Sequence, residues 1–206
     1  MKIHIKICGI TDVDGAMAAV DAGADAVGFV LAKSVRQVSP EYAADLASRL
    51  PQTIEKVAVF RRLHVDNYSK FLGVFEPDLI QADHSSLGSL APERTIPVFR
   101  EAAADREALD QHLRYSNDGR FLYEGPQSGV GRTVDWTVAS LIAETGPMVL
   151  AGGLHPDNVI AAIRTVRPFG VDVSSGVESR LGRKDPARIR AFVGAVREAE
   201  KQMVNT

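Results

Sequence analysis

Short apolar runs rich in valine and isoleucine alternate along the chain with longer segments whose apolar residues recur every three or four positions. The short runs cover residues 4–8, 25–31, 56–60, 79–82, 96–99, 120–124, 148–151 and 170–174. Most are apolar nearly throughout, which is the pattern of parallel strands covered on both faces. Helices fit between them. Thr11 is the expected cap of one whose apolar face is Val13, Met17 and Val20. Ser39-Pro40 starts another, with proline at the first helical position and Leu46 and Leu50 beyond it. Pro156 is expected to open a helix with Val159, Ile160, Ile163 and Val166 on one face, and Asp185-Pro186 the last, with Ile189, Phe192, Val193 and Val196. Residues 105–113 support a further helix, whereas 85–90 allow barely one turn.

Strands and helices in this alternation predict a parallel sheet with right-handed crossovers, and eight such units close into a (β/α)8 TIM barrel. A doubly wound open sheet is the rival, but it usually has fewer strands, and no GxGxxG follows a strand here. Gly129-Val130-Gly131-Arg132 lacks the third glycine. With 206 residues and no linker or low-complexity segment, one barrel domain over residues 1–206 is expected.

Composition narrows the partners. A net charge of −2 gives no global field for nucleic acid or a membrane surface, so an anion site would have to come from a few placed residues. No apolar run reaches membrane length. Cys8 is the single cysteine, which excludes an internal disulfide and suits a reducing compartment. The Met1–Ile5 stretch is too short and interrupted for a signal peptide, so a cytoplasmic location is expected. The five histidines show no metal-ligand spacing, and no metal is expected. Arg180, Arg183 and Lys184 are expected on a solvated surface.

In such barrels the chemistry lies at the C-terminal ends of the strands. The first ends in Lys6-Ile7-Cys8-Gly9-Ile10-Thr11, where Cys8 is either a small core residue or a catalytic thiol at the barrel mouth. Arg36, after the second strand, is either a solvated loop residue or a planar fork for a carboxylate. The sixth strand ends at Glu124, which can serve as a general acid if it holds its proton near neutral pH. Gly129 and Gly131 follow in a loop able to approach a ligand closely. Gly152-Gly153 and Ser174-Ser175-Gly176 follow the last two strands, where small residues let backbone N–H groups converge on a phosphate. Asp172 points inward near this end, with structural and functional readings equally open.

These residues resemble the phosphoribosylanthranilate isomerase family. The similarity rests on Lys6–Thr11, on Gly23-Ala24-Asp25-Ala26-Val27-Gly28-Phe29-Val30, on Arg36 ahead of Ser39-Pro40, and on Val134-Asp135-Trp136. Ala151-Gly152-Gly153-Leu154 with Asn158-Val159, and Val171–Glu178 with Lys184-Asp185, extend it over nearly the whole chain. The resemblance implies an Amadori rearrangement of N-(5-phosphoribosyl)anthranilate in tryptophan biosynthesis, without a cofactor, by a monomer or homodimer. It implies Cys8 as general base and Arg36 as the holder of the anthranilate carboxylate. The family's acid is an aspartate; Glu124 falls on that position and adds one methylene. Gln81 matches the family at the fourth strand, but Asp83 stands where the family has histidine, and Arg62 and His84 lie near the same aromatic end. Two other functions fit the sequence: a paralogue acting on a different aminoaldose phosphate, and a barrel that binds phosphoribosyl compounds without turnover.

Overall fold

Residues that are apolar toward both faces of a strand need cover on both sides, and the chain provides it by closing its sheet. In the computed structural model, described over residues 2–63, 71, 73–88, 90–101, 103–115, 119–126 and 133–204, eight parallel strands form a closed barrel in sequence order. They are β1 (His4–Cys8), β2 (Ala26–Val30), β3 (Glu55–Val59), β4 (Leu79–Asp83), β5 (Thr95–Arg100), β6 (Phe121–Glu124), β7 (Met148–Leu150) and β8 (Gly170–Val173). Each expected strand is present within a residue or two at its ends. A short antiparallel pair, β9 (Glu178–Arg180) and β10 (Arg183–Lys184), follows β8.

Alternate residues divide between two cores. Ala26, Val57, Leu79, Ile96, Val98, Leu122 and Val149 pack inside the barrel. Ile5, Ile7, Val27, Phe29, Ile80, Phe99 and Phe121 belong to the larger core shared with the surrounding helices. The described helices are α1 (Val13–Ala22), α2 (Pro40–Ser48), α3 (Ala103–Tyr115), α4 (Trp136–Ala143), α5 (Val159–Val166) and α6 (Pro186–Val204). After β4 the chain makes only the 3-10 turn His84–Ser86, in keeping with its weak helical pattern.

Three local expectations need correction. Asp12, not Thr11, caps α1, accepting from the Gly15 N–H, while Thr11 donates its hydroxyl to the Gly182 carbonyl. The buried face of α1 is Gly15, Ala16, Ala18 and Ala19, and Val13 and Met17 lie outside it. A Cβ on Gly15 would sit 3.0 Å from Lys184 Cβ, so this helix packs too closely for large side chains on that face. The helix expected from Pro156 begins at Val159. Residues 155–158 form a turn instead, closed by Asn158 Oδ1 accepting from the His155 N–H and by Asn158 Nδ2 donating to the Gly153 carbonyl.

An ionic cluster closes the end of the barrel away from the mouth. Arg120 binds Glu55 through two 2.9 Å hydrogen bonds, and His4 Nε2 lies 3.1 Å from the same carboxylate. Burial works to raise the Glu55 pKa, but His4 and Arg120 hold it down to about 2. A side chain at Gly170 would meet the His4 carbonyl at 2.7 Å, which explains glycine at the start of β8.

Candidate active site

The period of a strand places His4, Lys6 and Cys8 on the inward face of β1. Lys6 sits opposite Asp172 in the β1–β8 register, and its Nζ lies 2.7 Å from Asp172 Oδ1 in a nearly dry pair. Burial opposes the charge on Lys6, yet Asp172 and Cys8 push its pKa up to about 12. The Lys6 ammonium group also acts on Cys8, pulling its pKa down against the larger effect of burial. Gly28 on β2 makes room for both: a Cβ there would lie 3.0 Å from Cys8 Sγ and 3.2 Å from Lys6 Nζ. Burial pushes the Cys8 thiol up, and Lys6 only partly offsets it, so the free protein holds Cys8 as a thiol.

Cys8, Val30, Lys33, Arg36, Val59, Gln81, Arg100, Glu124, Asp172 and Ser174 line one cavity of about 460 Å³ at the barrel mouth. That is the size of an ordinary small-molecule site. The structure therefore brings Cys8, Arg36, Gln81, Glu124, Asp172 and Ser174 together. Gln81 is buried and its Oε1 has no hydrogen-bond partner, although it borders the cavity. Buried amide oxygens are normally satisfied, so this one is an acceptor available to a ligand.

Arg36 crosses the end of β1 to reach the mouth. Gly9 adopts φ +75°, and a Cβ there would lie 2.6 Å from Arg36 Cδ, so both the turn and the crossing require glycine. Arg36 Nε and Nη2 donate to the two oxygens of Glu178 at 2.6 and 3.0 Å. Lys184 Nζ donates to Glu178 Oε1 at 2.9 Å and to the Ser174 carbonyl at 3.0 Å. Burial favours the neutral form of Glu178, but Arg36 and Lys184 hold its pKa down to about 2. Lys184 is thus buried, not solvated as expected, because Glu178 takes its charge inside.

Asp83 and Glu124 meet through a residue the sequence reading passed over. Arg100, at the end of β5, has Nη2 2.6 Å from Asp83 Oδ1 and 3.1 Å from Glu124 Oε1. The Asp83 contact is an ion pair and not an aligned hydrogen bond. Arg100 and Arg61 also border a second chamber of about 500 Å³, with Arg62, Asp83, His84 and Asp105.

The glycine turns after β7 and β8 pack against each other. Gly152 and Gly153 have φ of +92° and +62°. A Cβ on Gly176 would lie 2.0 Å from the Leu154 carbonyl oxygen, so only glycine fits. Among the described residues, the backbone N–H groups of Gly153, Ser175 and Gly176 donate to no protein acceptor. Gly129 and Gly131 lie outside the described residues.

Besides Arg100, sequence reading missed Lys6, Glu178 and Lys184 as parts of the site. Lys6 carried a readable signal, a charge two residues before Cys8 in an otherwise apolar strand. Glu178 and Lys184 did not, since their partnership with Arg36 depends on loops meeting in space.

The profile of the family described as N-(5'-phosphoribosyl)anthranilate (PRA) isomerase matches residues 5–195. An N-(5'-phosphoribosyl)anthranilate isomerase from Geotalea uraniireducens is 43% identical over 196 residues, covering 92% of this chain and 96% of that protein. A solved phosphoribosyl anthranilate isomerase in complex with reduced 1-(o-carboxyphenylamino)-1-deoxyribulose 5-phosphate superposes with a TM-score of 0.82 at 32% identity, over 96% of this chain and 100% of that one. Monomers generated from the dimeric enzyme of Thermotoga maritima superpose with a TM-score of 0.81 at 31% identity, over 96% of this chain and 100% of the other.

Proposed function

The chain belongs to the N-(5'-phosphoribosyl)anthranilate isomerase family, and from that premise we propose that it rearranges N-(5'-phosphoribosyl)anthranilate with Cys8 as base and Glu124 as acid. The observation that carries this reading is that a thiol from β1 and a carboxyl group from β6 line one cavity. Glu124 protonates the furanose ring oxygen, and the ring opens to a Schiff base. The cation acidifies the adjacent sugar carbon. Cys8, as thiolate, removes that proton, and the enolamine tautomerises to the ketone 1-(2-carboxyphenylamino)-1-deoxyribulose 5-phosphate. The free Cys8 is a thiol, so its proton passes to solvent water as the substrate binds. Lys6 beside it, and the cationic intermediate, favour the thiolate at that point.

The unoccupied N–H groups of Gly153, Ser175 and Gly176 suit the phosphate, far from the reacting carbons, and fix the sugar between acid and base. Arg36 uses one edge of its guanidinium on Glu178 and keeps donors for the anthranilate carboxylate. Gln81 Oε1 accepts from a substrate N–H or O–H group. Asp172 holds Lys6 in place rather than binding substrate directly. The protein acts as one barrel domain, monomeric or as a homodimer, and in the cytoplasm. No helix among the described residues is long and apolar enough to cross a membrane.

The test is turnover of N-(5'-phosphoribosyl)anthranilate, followed by NMR of the sugar carbons. Wild-type protein converts it and restores growth to a tryptophan auxotroph lacking this isomerase. Glu124→Gln binds the substrate but loses most turnover, because an amide cannot donate an acidic proton. Absence of turnover by the wild type would overturn the reading.

A further inference from the structure

Asp83 and Glu124 are joined in the structure through a single guanidinium. Asp83, Arg100 and Glu124 occupy the ends of the adjacent strands β4, β5 and β6. The register fixes the order: Asp83 pairs with Val98, and Arg100 pairs with Glu124. The Arg100 Nη2 group faces a carboxylate on each side, at 2.6 and 3.1 Å. Side-chain exposures of 17% for Arg100 and 13% for each carboxylate leave little water to screen them.

We propose that Asp83 is a positioning residue that competes with Glu124 for Arg100 and thereby lets Glu124 hold the proton it donates. A guanidinium paired with Glu124 alone would keep that carboxylate ionised and unfit as an acid. The second carboxylate, closer to the same nitrogen, takes up much of that positive charge. The three groups together carry one net negative charge when both acids are ionised, and a proton on Glu124 relieves it. Asp83 borders the second chamber and not the cavity that Cys8 and Glu124 line.

Among the described residues, the other charges near Glu124 are placed differently. On β7 the residues Met148–Leu150, and Ala151-Gly152-Gly153 beyond them, bring no ionisable side chain. From α3, Asp105 faces Arg100 and lies 3.5 Å from His84. The Glu101 carboxylate accepts from the Asp135 N–H. Across the cavity stand Cys8, Lys33, Arg36, Arg61 and Asp172, of which Arg36 is paired with Glu178 and Asp172 with Lys6.

This inference rests on Glu124 being the acid, and the test separates the two. The protein is labelled with carboxyl-13C glutamate, and the Glu124 resonance is identified by its loss in Glu124→Gln. Its titration midpoint should fall by about one pH unit or more in Asp83→Asn and rise in Arg100→Met, the usual scale for a charge at this distance. Arg100→Lys, which keeps the charge, should titrate close to wild type and covers the case that Arg100→Met does not fold. With Glu124 less often protonated, kcat of Asp83→Asn should fall about tenfold per unit of midpoint shift while KM changes little. Midpoints that stay put, or move in the same direction in Asp83→Asn and Arg100→Met, would overturn the inference while leaving Glu124 as the acid. Full turnover in Glu124→Gln would overturn both.

Discussion

Arg36 and Glu178 face each other as fork to fork, with Nε and Nη2 donating at 2.6 and 3.0 Å inside the protein. Glu178 starts the short strand after β8, and Arg36 follows β2, so the pair ties together two loops on either side of Cys8. It also fixes the plane of the guanidinium and directs its remaining N–H groups.

Loss of this anchor should be costly. Glu178→Gln leaves Arg36 and Lys184 buried with a weakened partner, and breaking a buried ion pair from one side typically costs roughly 3–5 kcal/mol. Denaturant titration should show a loss on this scale. KM should rise as well, because Arg36 loses its orientation. A stability unchanged within about 0.5 kcal/mol would show that the pair contributes no net stability.

The same group sets part of the acid sensitivity. Glu178 has a folded pKa of about 2 against an ordinary value of 4.5. Its pairing therefore contributes stability in full above about pH 4.5, and that contribution is lost as pH falls toward 2. Glu55 adds to the same window. The slope of unfolding free energy against pH between 4.5 and 2 should be shallower in Glu178→Gln than in wild type. An identical slope would place the acid sensitivity elsewhere.

How much of this could be read from the sequence depends on whether the relevant pattern is local. The strand runs, the Ser39-Pro40 helix start and the glycine turns are set by neighbouring residues, and they appear where the sequence places them. Cys8, Glu124 and Asp172 are legible as candidates because strand ends follow once strands are placed, and all three line the cavity. Arg100 sits at a strand end too, but nothing in Phe99-Arg100-Glu101 distinguishes it from a solvated arginine. Its role comes from β4 and β6 flanking β5, which only the closed sheet supplies. The α1 face differs from the expectation because large apolar residues at helical spacing outweigh a row of alanines in the sequence, while the helix packs closely enough that a Cβ on Gly15 would lie 3.0 Å from Lys184 Cβ.

Cys8→Ser should keep the fold, since the position is buried and the two side chains are nearly the same size. It should lose at least about a hundredfold in kcat, the scale of a positioned acid or base. Circular dichroism would confirm folding. Near-normal turnover in a folded variant would remove Cys8 from the mechanism.

Lys6 lowers the Cys8 pKa against the larger effect of burial. In Lys6→Met the thiol should therefore alkylate with iodoacetamide more slowly at a given pH, and its reaction midpoint should move up. Asp172 would be left buried without its partner, so the variant should also be less stable, again by roughly 3–5 kcal/mol. A faster-reacting Cys8 in a folded Lys6→Met protein would contradict the assigned role of the ammonium group.

The two glycine turns make a prediction that separates binding from chemistry. A Cβ on Gly176 would lie 2.0 Å from the Leu154 carbonyl oxygen, so Gly176→Ala must push the turns after β7 and β8 apart. Those turns present the N–H groups of Gly153, Ser175 and Gly176, whose geometry would change together. Cys8 and Glu124 belong to β1 and β6 and should keep their places. The variant should thus bind inorganic phosphate more weakly than wild type by calorimetry, and KM should rise more than kcat falls. Asn158→Ala should act in the same direction and more mildly, because the amide ties the Gly153 carbonyl to the His155 N–H without contacting the anion space. A crystal soaked in phosphate should show the ion between Gly153 and Ser175–Gly176. Unchanged phosphate affinity in Gly176→Ala, or an ion bound elsewhere in the barrel mouth, would move the phosphate site away from these turns.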